Sequence, residues 1–113
     1  SNQAVVTEAA VDRYWELLRY PGNRAATLKR FSGVRTPFTA AELARITVPT
    51  LILWGDEDKL IPVSHAALFG DAIPGSTVIV YPKVGHVPME QIADRSAADL
   101  DAWLKAKVWP AEN

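Results

Sequence analysis

The 113-residue chain contains no cysteine, so disulfides, thiolate nucleophiles and cysteine-ligated metals are excluded at the outset. It also lacks a charge of dominant sign. Twelve basic residues stand against thirteen acidic ones, with no basic block, which removes the electrostatic footprint of a nucleic-acid or anionic-membrane binder. No apolar run approaches the roughly 20 residues that span a bilayer. The N-terminus has no basic and apolar leader pattern, in keeping with a cytoplasmic protein. The two histidines show no H-x-x-x-H or H-E-x-x-H spacing, and no Gly-x-Gly-x-x-Gly or Gly-Lys-Ser/Thr loop occurs. Neither a metal nor a nucleotide cofactor is therefore expected.

Hydrophobic residues make up 49% of the chain, enough to form a core and too many for a disordered segment. Val11, Tyr14, Trp15 and Leu18 fall at the spacing that lines one face of a helix over 7–20, with Thr7 as its N-cap and Glu8 in the first turn. Pro21-Gly22-Asn23 stops it, with Asn23 a cap for a second helix over 24–32. Thr39-Ala40-Ala41-Glu42 has the form of a capping box and opens a short helix reaching Ile46.

Beyond Pro49 the pattern changes. Leu51-Ile52-Leu53 is continuously apolar, as in a strand buried on both faces. Pro62 suits the first turn of a helix reaching Ile73, with Val63, Ala66, Ala67 and Ala72 apolar. Residues 76–81 form a second strand rich in β-branched side chains, and strand-helix-strand order implies a parallel pair. After a turn near Pro88–Ile92, a last helix over 95–107 carries Ala97, Leu100, Trp103 and Leu104 on its apolar face. The class is α/β: two parallel strands with flanking helices, preceded by helices of their own. Such strands need further neighbours, which are expected to come from sequence ahead of residue 1.

Each strand ends in a loop bearing a side chain capable of catalysis. Trp54-Gly55-Asp56-Glu57-Asp58 through Pro62 follows the first, and Gly85-His86 follows the second. Open α/β sheets build their sites at the carboxyl ends of parallel strands, so an acid–imidazole pair is expected there. The acids available in the first loop are Asp56, Glu57 and Asp58; His65, early in a helix with Phe69 at i+4, reads as an ordinary helix residue.

Pro49 through Pro62, Ala72-Ile73-Pro74-Gly75-Ser76 and Gly85-His86, in that order and at these spacings, resemble the end of an α/β-hydrolase. The resemblance covers about residues 46–106, while residues 4–38 resemble the end of a helical cap. It divides the chain into a cap-like segment, 1–45, and the C-terminal part of the core, 46–113. It maps the catalytic acid to Asp58, with Asp56 the fallback, and the catalytic histidine to His86. It implies a parent enzyme that needs no cofactor and cleaves an ester, a carbon–carbon bond or a related bond of a small-molecule substrate. The family's nucleophile sits on a Gly-x-Ser-x-Gly elbow or a variant with Asp; an Asp nucleophile would point to epoxide hydrolases or haloalkane dehalogenases. None of Ser1, Ser32, Ser64, Ser76 and Ser96 has glycine two positions away on both sides. The chain alone is accordingly expected to be an inactive fragment, and its exposed sheet edge to make it a homo-oligomer. The competing expectation is a non-catalytic association module that uses that edge.

Overall fold

The computed structural model describes residues 4–109. These form two compact units that divide between residues 37 and 38.

The first unit is a helical hairpin of α1 (Glu8–Arg19) and α2 (Asn23–Ser32). The Thr7 hydroxyl accepts from the Ala10 amide, the cap expected there, and satisfies one of the donors that a helix start leaves free. The second helix begins differently from expectation. Gly22, at φ +89°, takes the capping position, and Asn23 lies inside the helix with its side-chain amide donating to the Leu17 carbonyl at 2.6 Å. The tight reversal after Tyr20 needs a left-handed residue, which only glycine supplies without steric cost. The face of Val11, Tyr14, Trp15 and Leu18 is exposed within this unit.

The second unit contains α3 (Ala40–Leu43), β1 (Leu51–Gly55), α4 (Ser64–Ala72), β2 (Thr77–Tyr81), α5 (Pro88–Gln91) and α6 (Ala93–Lys107). The capping box is complete: Thr39 Oγ1 accepts from the Glu42 amide at 3.2 Å, and Glu42 Oε2 accepts from the Thr39 amide at 2.8 Å. The Thr39 amide and the Thr39 hydroxyl both donate to Glu42 Oε2 and hold the Glu42 carboxyl below its usual range. Strand β1 pairs with β2 in parallel, in the register Leu51↔Thr77 through Gly55↔Tyr81. Both strands therefore finish at the same end of the sheet, side by side. Helix α4 starts at Ser64 rather than Pro62; Pro62 instead closes the turn ahead of it, its carbonyl accepting from the His65 amide.

The core is small. Ala66, Ile73, Tyr81 and Val84 are its buried hydrophobic residues. Residues 51–54 are only half-buried, against the expectation of a strand covered on both faces. The reason is the sheet itself: among the described residues it has two strands, so β1 has a partner there along one edge. Ala97 and Leu100 of α6 are likewise exposed, whereas Trp103 is part-buried and its indole N–H donates to Thr77 Oγ1 at 3.2 Å. Ala97 and Leu100, together with Leu53, Pro88, Met89 and Ala93, line an apolar groove of about 390 Å³.

Candidate active site

The carboxyl ends of β1 and β2 are joined before any side chain takes part. Gly55 ends β1 pressed against the turn that follows β2, where a Cβ would lie 2.2 Å from the Val84 carbonyl oxygen. Beyond it the Asp56 amide donates to the Tyr81 carbonyl at 3.0 Å and the Glu57 amide to the Val84 carbonyl at 2.9 Å. The loop bearing the carboxylates and the loop bearing the imidazole are thus stitched through their backbones.

Asp58 lies in this stitched corner, its side chain only 4% exposed. Its Oδ1 accepts from the Leu60 and Ile61 amides at 2.8 and 2.9 Å, an arrangement that fixes the carboxylate plane. Its Oδ2 lies 2.8 Å from His86 Nδ1. Burial alone would push the Asp58 carboxyl up. The bond to His86, the Ile61 and Leu60 amides and the imidazole's charge outweigh it, so the carboxyl titrates below its usual range. His86 is 45% exposed. With Nδ1 committed to the carboxylate, Nε2 is the ring nitrogen left for proton transfer.

Trp54 braces the acid loop from β1. Its indole N–H donates to the Ile61 carbonyl at 3.2 Å, and its ring meets Phe69 at 6.3 Å between centroids. Leu53, Trp54, Gly55 and Pro88 surround the Asp58–His86 pair in a recess of about 110 Å³. Pro88 thus borders the pair, while Met89 lies outside this recess at 64% exposure.

The other candidates separate cleanly. Asp56, the fallback acid, does not meet His86; its Oδ1 accepts from the Lys83 amide at 2.7 Å. His65 Nδ1 lies 3.1 Å from the Pro62 carbonyl of its own first turn. The hydroxyls of Ser32, Ser76 and Ser96 each donate to a nearby backbone carbonyl. Gln91 was not singled out by the sequence, yet its Oε1 accepts from the Gly85 amide at 2.5 Å, next to His86. Its position one short helix beyond the Gly-His pair was the available signal. Among the described residues no group of three or more His, Asp or Glu side chains is placed to hold a metal ion, and no helix is long and apolar enough to cross a membrane.

The model of the family described as the alpha/beta hydrolase fold matches residues 9–91. The chain belongs to that family. Among its α/β-hydrolase relatives, Lipase 3 of Moraxella sp. (strain TA144) is 38% identical over 61 residues, 54% of this chain and 19% of that protein. The non-heme chloroperoxidase of Burkholderia pyrrocinia is 28% identical over 107 residues, 91% of this chain and 37% of that protein. Among solved structures, a meta-cleavage product hydrolase from Pseudomonas fluorescens IP01 superposes with a TM-score of 0.78 at 20% identity, over 90% of this chain and 40% of that one, a likeness of fold. The chain thus spans well under half the length of each of these α/β-hydrolases.

Proposed function

We propose that this chain carries the acid and the base of a nucleophile–histidine–acid triad, with the nucleophile supplied by a part of the α/β-hydrolase that lies outside these residues. His86 Nε2 takes the proton of the nucleophile and later returns it to the leaving group. Asp58 fixes the tautomer through Nδ1 and stabilises the imidazolium that forms. The observation that carries this reading is the 2.8 Å contact between Asp58 Oδ2 and His86 Nδ1, with Oδ1 already held by two backbone amides. The carboxylate has one free direction, and the imidazole occupies it.

In this reading residues 1–45 end a helical cap and residues 46–113 complete the core. The substrate is a small molecule with an ester or a carbon–carbon bond to be cleaved. Two relatives support a small-molecule substrate: a pimeloyl-[acyl-carrier protein] methyl ester esterase of Pectobacterium atrosepticum at 38% identity over 64 residues, and a 2-hydroxy-6-oxo-6-phenylhexa-2,4-dienoate hydrolase of Burkholderia cepacia at 27% over 100 residues. The 113-residue chain by itself turns over no ester, because acid and base without nucleophile or oxyanion hole cannot complete covalent catalysis. The test is p-nitrophenyl ester hydrolysis by a longer protein that carries this segment. His86→Ala should abolish turnover there, and turnover by the isolated chain that depends on one of its own serines would overturn the reading.

A second reading rests on the half-buried β1 and the apolar groove beside it. As an isolated chain the protein pairs with a second copy through that surface, since an uncovered apolar edge invites association. Light scattering at micromolar concentration should give at least a dimer, and a monodisperse monomer would dismiss this reading.

A further inference from the structure

We infer that Asp56 is a positioning residue for His86, acting through the backbone of Lys83 rather than as a reserve acid; the inference rests on the reading of Asp58 and His86 as the acid–base pair. Strand β2 ends at Tyr81, and the chain must turn within a few residues to deliver His86 opposite Asp58. That turn passes through Lys83 at φ +61°, a left-handed conformation that a side chain with a Cβ disfavours. Such a conformation persists where its surroundings over-determine it.

The surroundings here are specific. Asp56 Oδ1 accepts from the Lys83 amide at 2.7 Å, a short bond to an ionised acceptor. The Asp56 amide holds the residue before the turn, through the Tyr81 carbonyl, and the Glu57 amide holds the residue after Lys83, through the Val84 carbonyl. Gln91 Oε1 then takes the Gly85 amide from the other direction. Of these attachments, the Asp56 carboxylate is the one that grips the strained residue itself. Without it the Lys83 amide loses its acceptor and the turn has reason to relax toward negative φ. Relaxation there displaces Gly85 and His86, which follow beyond Val84, while Asp58 stays fixed by Leu60 and Ile61.

The juxtaposition also explains why the loop carries two aspartates with different tasks. Asp58 addresses the imidazole and Asp56 the peptide that leads to it. An amide oxygen can accept from a backbone N–H as a carboxylate does, so Asp56→Asn should preserve the function and Asp56→Ala should remove it.

The experiment is nitrogen-15 NMR of the imidazoles in the full 113-residue chain, reading the Nδ1–H tautomer of His86 and the exchange protection of that proton. The wild type and Asp56→Asn should both show the protected Nδ1–H. Asp58→Ala should lose it, and Asp56→Ala should lose it while keeping the wild-type circular dichroism spectrum. If Asp58→Ala removes the signature and a folded Asp56→Ala retains it, the inference is overturned and the acid–base pair stands. If Asp58→Ala leaves it intact, the pair itself fails and the inference with it. Should Asp56→Ala not fold, Asp56→Asn decides: a preserved signature supports the backbone bond, and a lost one overturns it.

Discussion

Gly55 and Val84 approach so closely that the strand end and the turn share the space of one methyl group: a Cβ on Gly55 would sit 2.2 Å from the Val84 carbonyl oxygen and 2.3 Å from that of Gly85. This contact brings the acid loop within reach of His86. Because the opposing atoms are backbone, no side chain can swing aside to make room. Gly55→Ala must therefore part the two loops.

Gly55→Ala is expected to destabilise the chain by about 1–3 kcal/mol, the range for overpacking a close contact. It should also lengthen the Asp58–His86 contact. Chemical denaturation gives the first quantity and a crystal structure the second. Wild-type stability together with an unchanged 2.8 Å contact would contradict the close-approach argument.

Asp58 gives the acid limb of stability a definite sign. Its folded carboxyl titrates below the unfolded value of about 3.9. Its contribution is therefore whole above that value and is lost as pH falls through the lower folded pKa. Denaturation measured across a pH series should show Asp58→Asn with a shallower acid limb than the wild type. Superimposable limbs would mean that Asp58 gains nothing from its amides and imidazole.

Tyr81 acts at the opposite extreme. Its ring is fully buried, Arg95 lies 5.3 Å over it with its Nε 3.9 Å from Asp99 Oδ2, and among the described residues neither the Tyr81 hydroxyl nor that buried oxygen makes a hydrogen bond. Burial first, and the Asp99 carboxylate second, push the phenol up to about 12, against the pull of Arg95. The unfolded chain releases this proton at about 10, so stability falls as pH rises from there toward 12. Tyr81→Phe should flatten that alkaline decline. An equal decline in Tyr81→Phe would place its origin elsewhere.

Much of this arrangement was legible in the sequence because its causes are local. Thr7, the Thr39–Glu42 box and the β-branched run at 77–81 each announce their element through a nearest-neighbour interaction. The approach of Asp58 and His86 was legible for another reason: parallel strands ending at one edge must bring their following loops together. What escaped was non-local. Nothing within a few residues of Asp56 shows that its acceptor oxygen is spent on the amide of Lys83, 27 positions away. The capping role of Gly22 rather than Asn23 was missed because both residue types suit the position, and only the φ of +89° distinguishes them. The burial of Leu51–Leu53 was overestimated because an apolar run records what a strand is suited to meet, and β1 meets one neighbour here.

The most direct test of the pair is the turnover number of Asp58→Asn in a longer hydrolase that carries this segment, with p-nitrophenyl ester as substrate. Replacing the orienting carboxylate by an amide keeps the shape and loses the preference for the correct tautomer, which in a serine-type triad costs about 10⁴ in kcat. A drop of that order, with KM little changed, is the expected result. A kcat within about threefold of the wild type would contradict the assignment of Asp58 and His86 as acid and base.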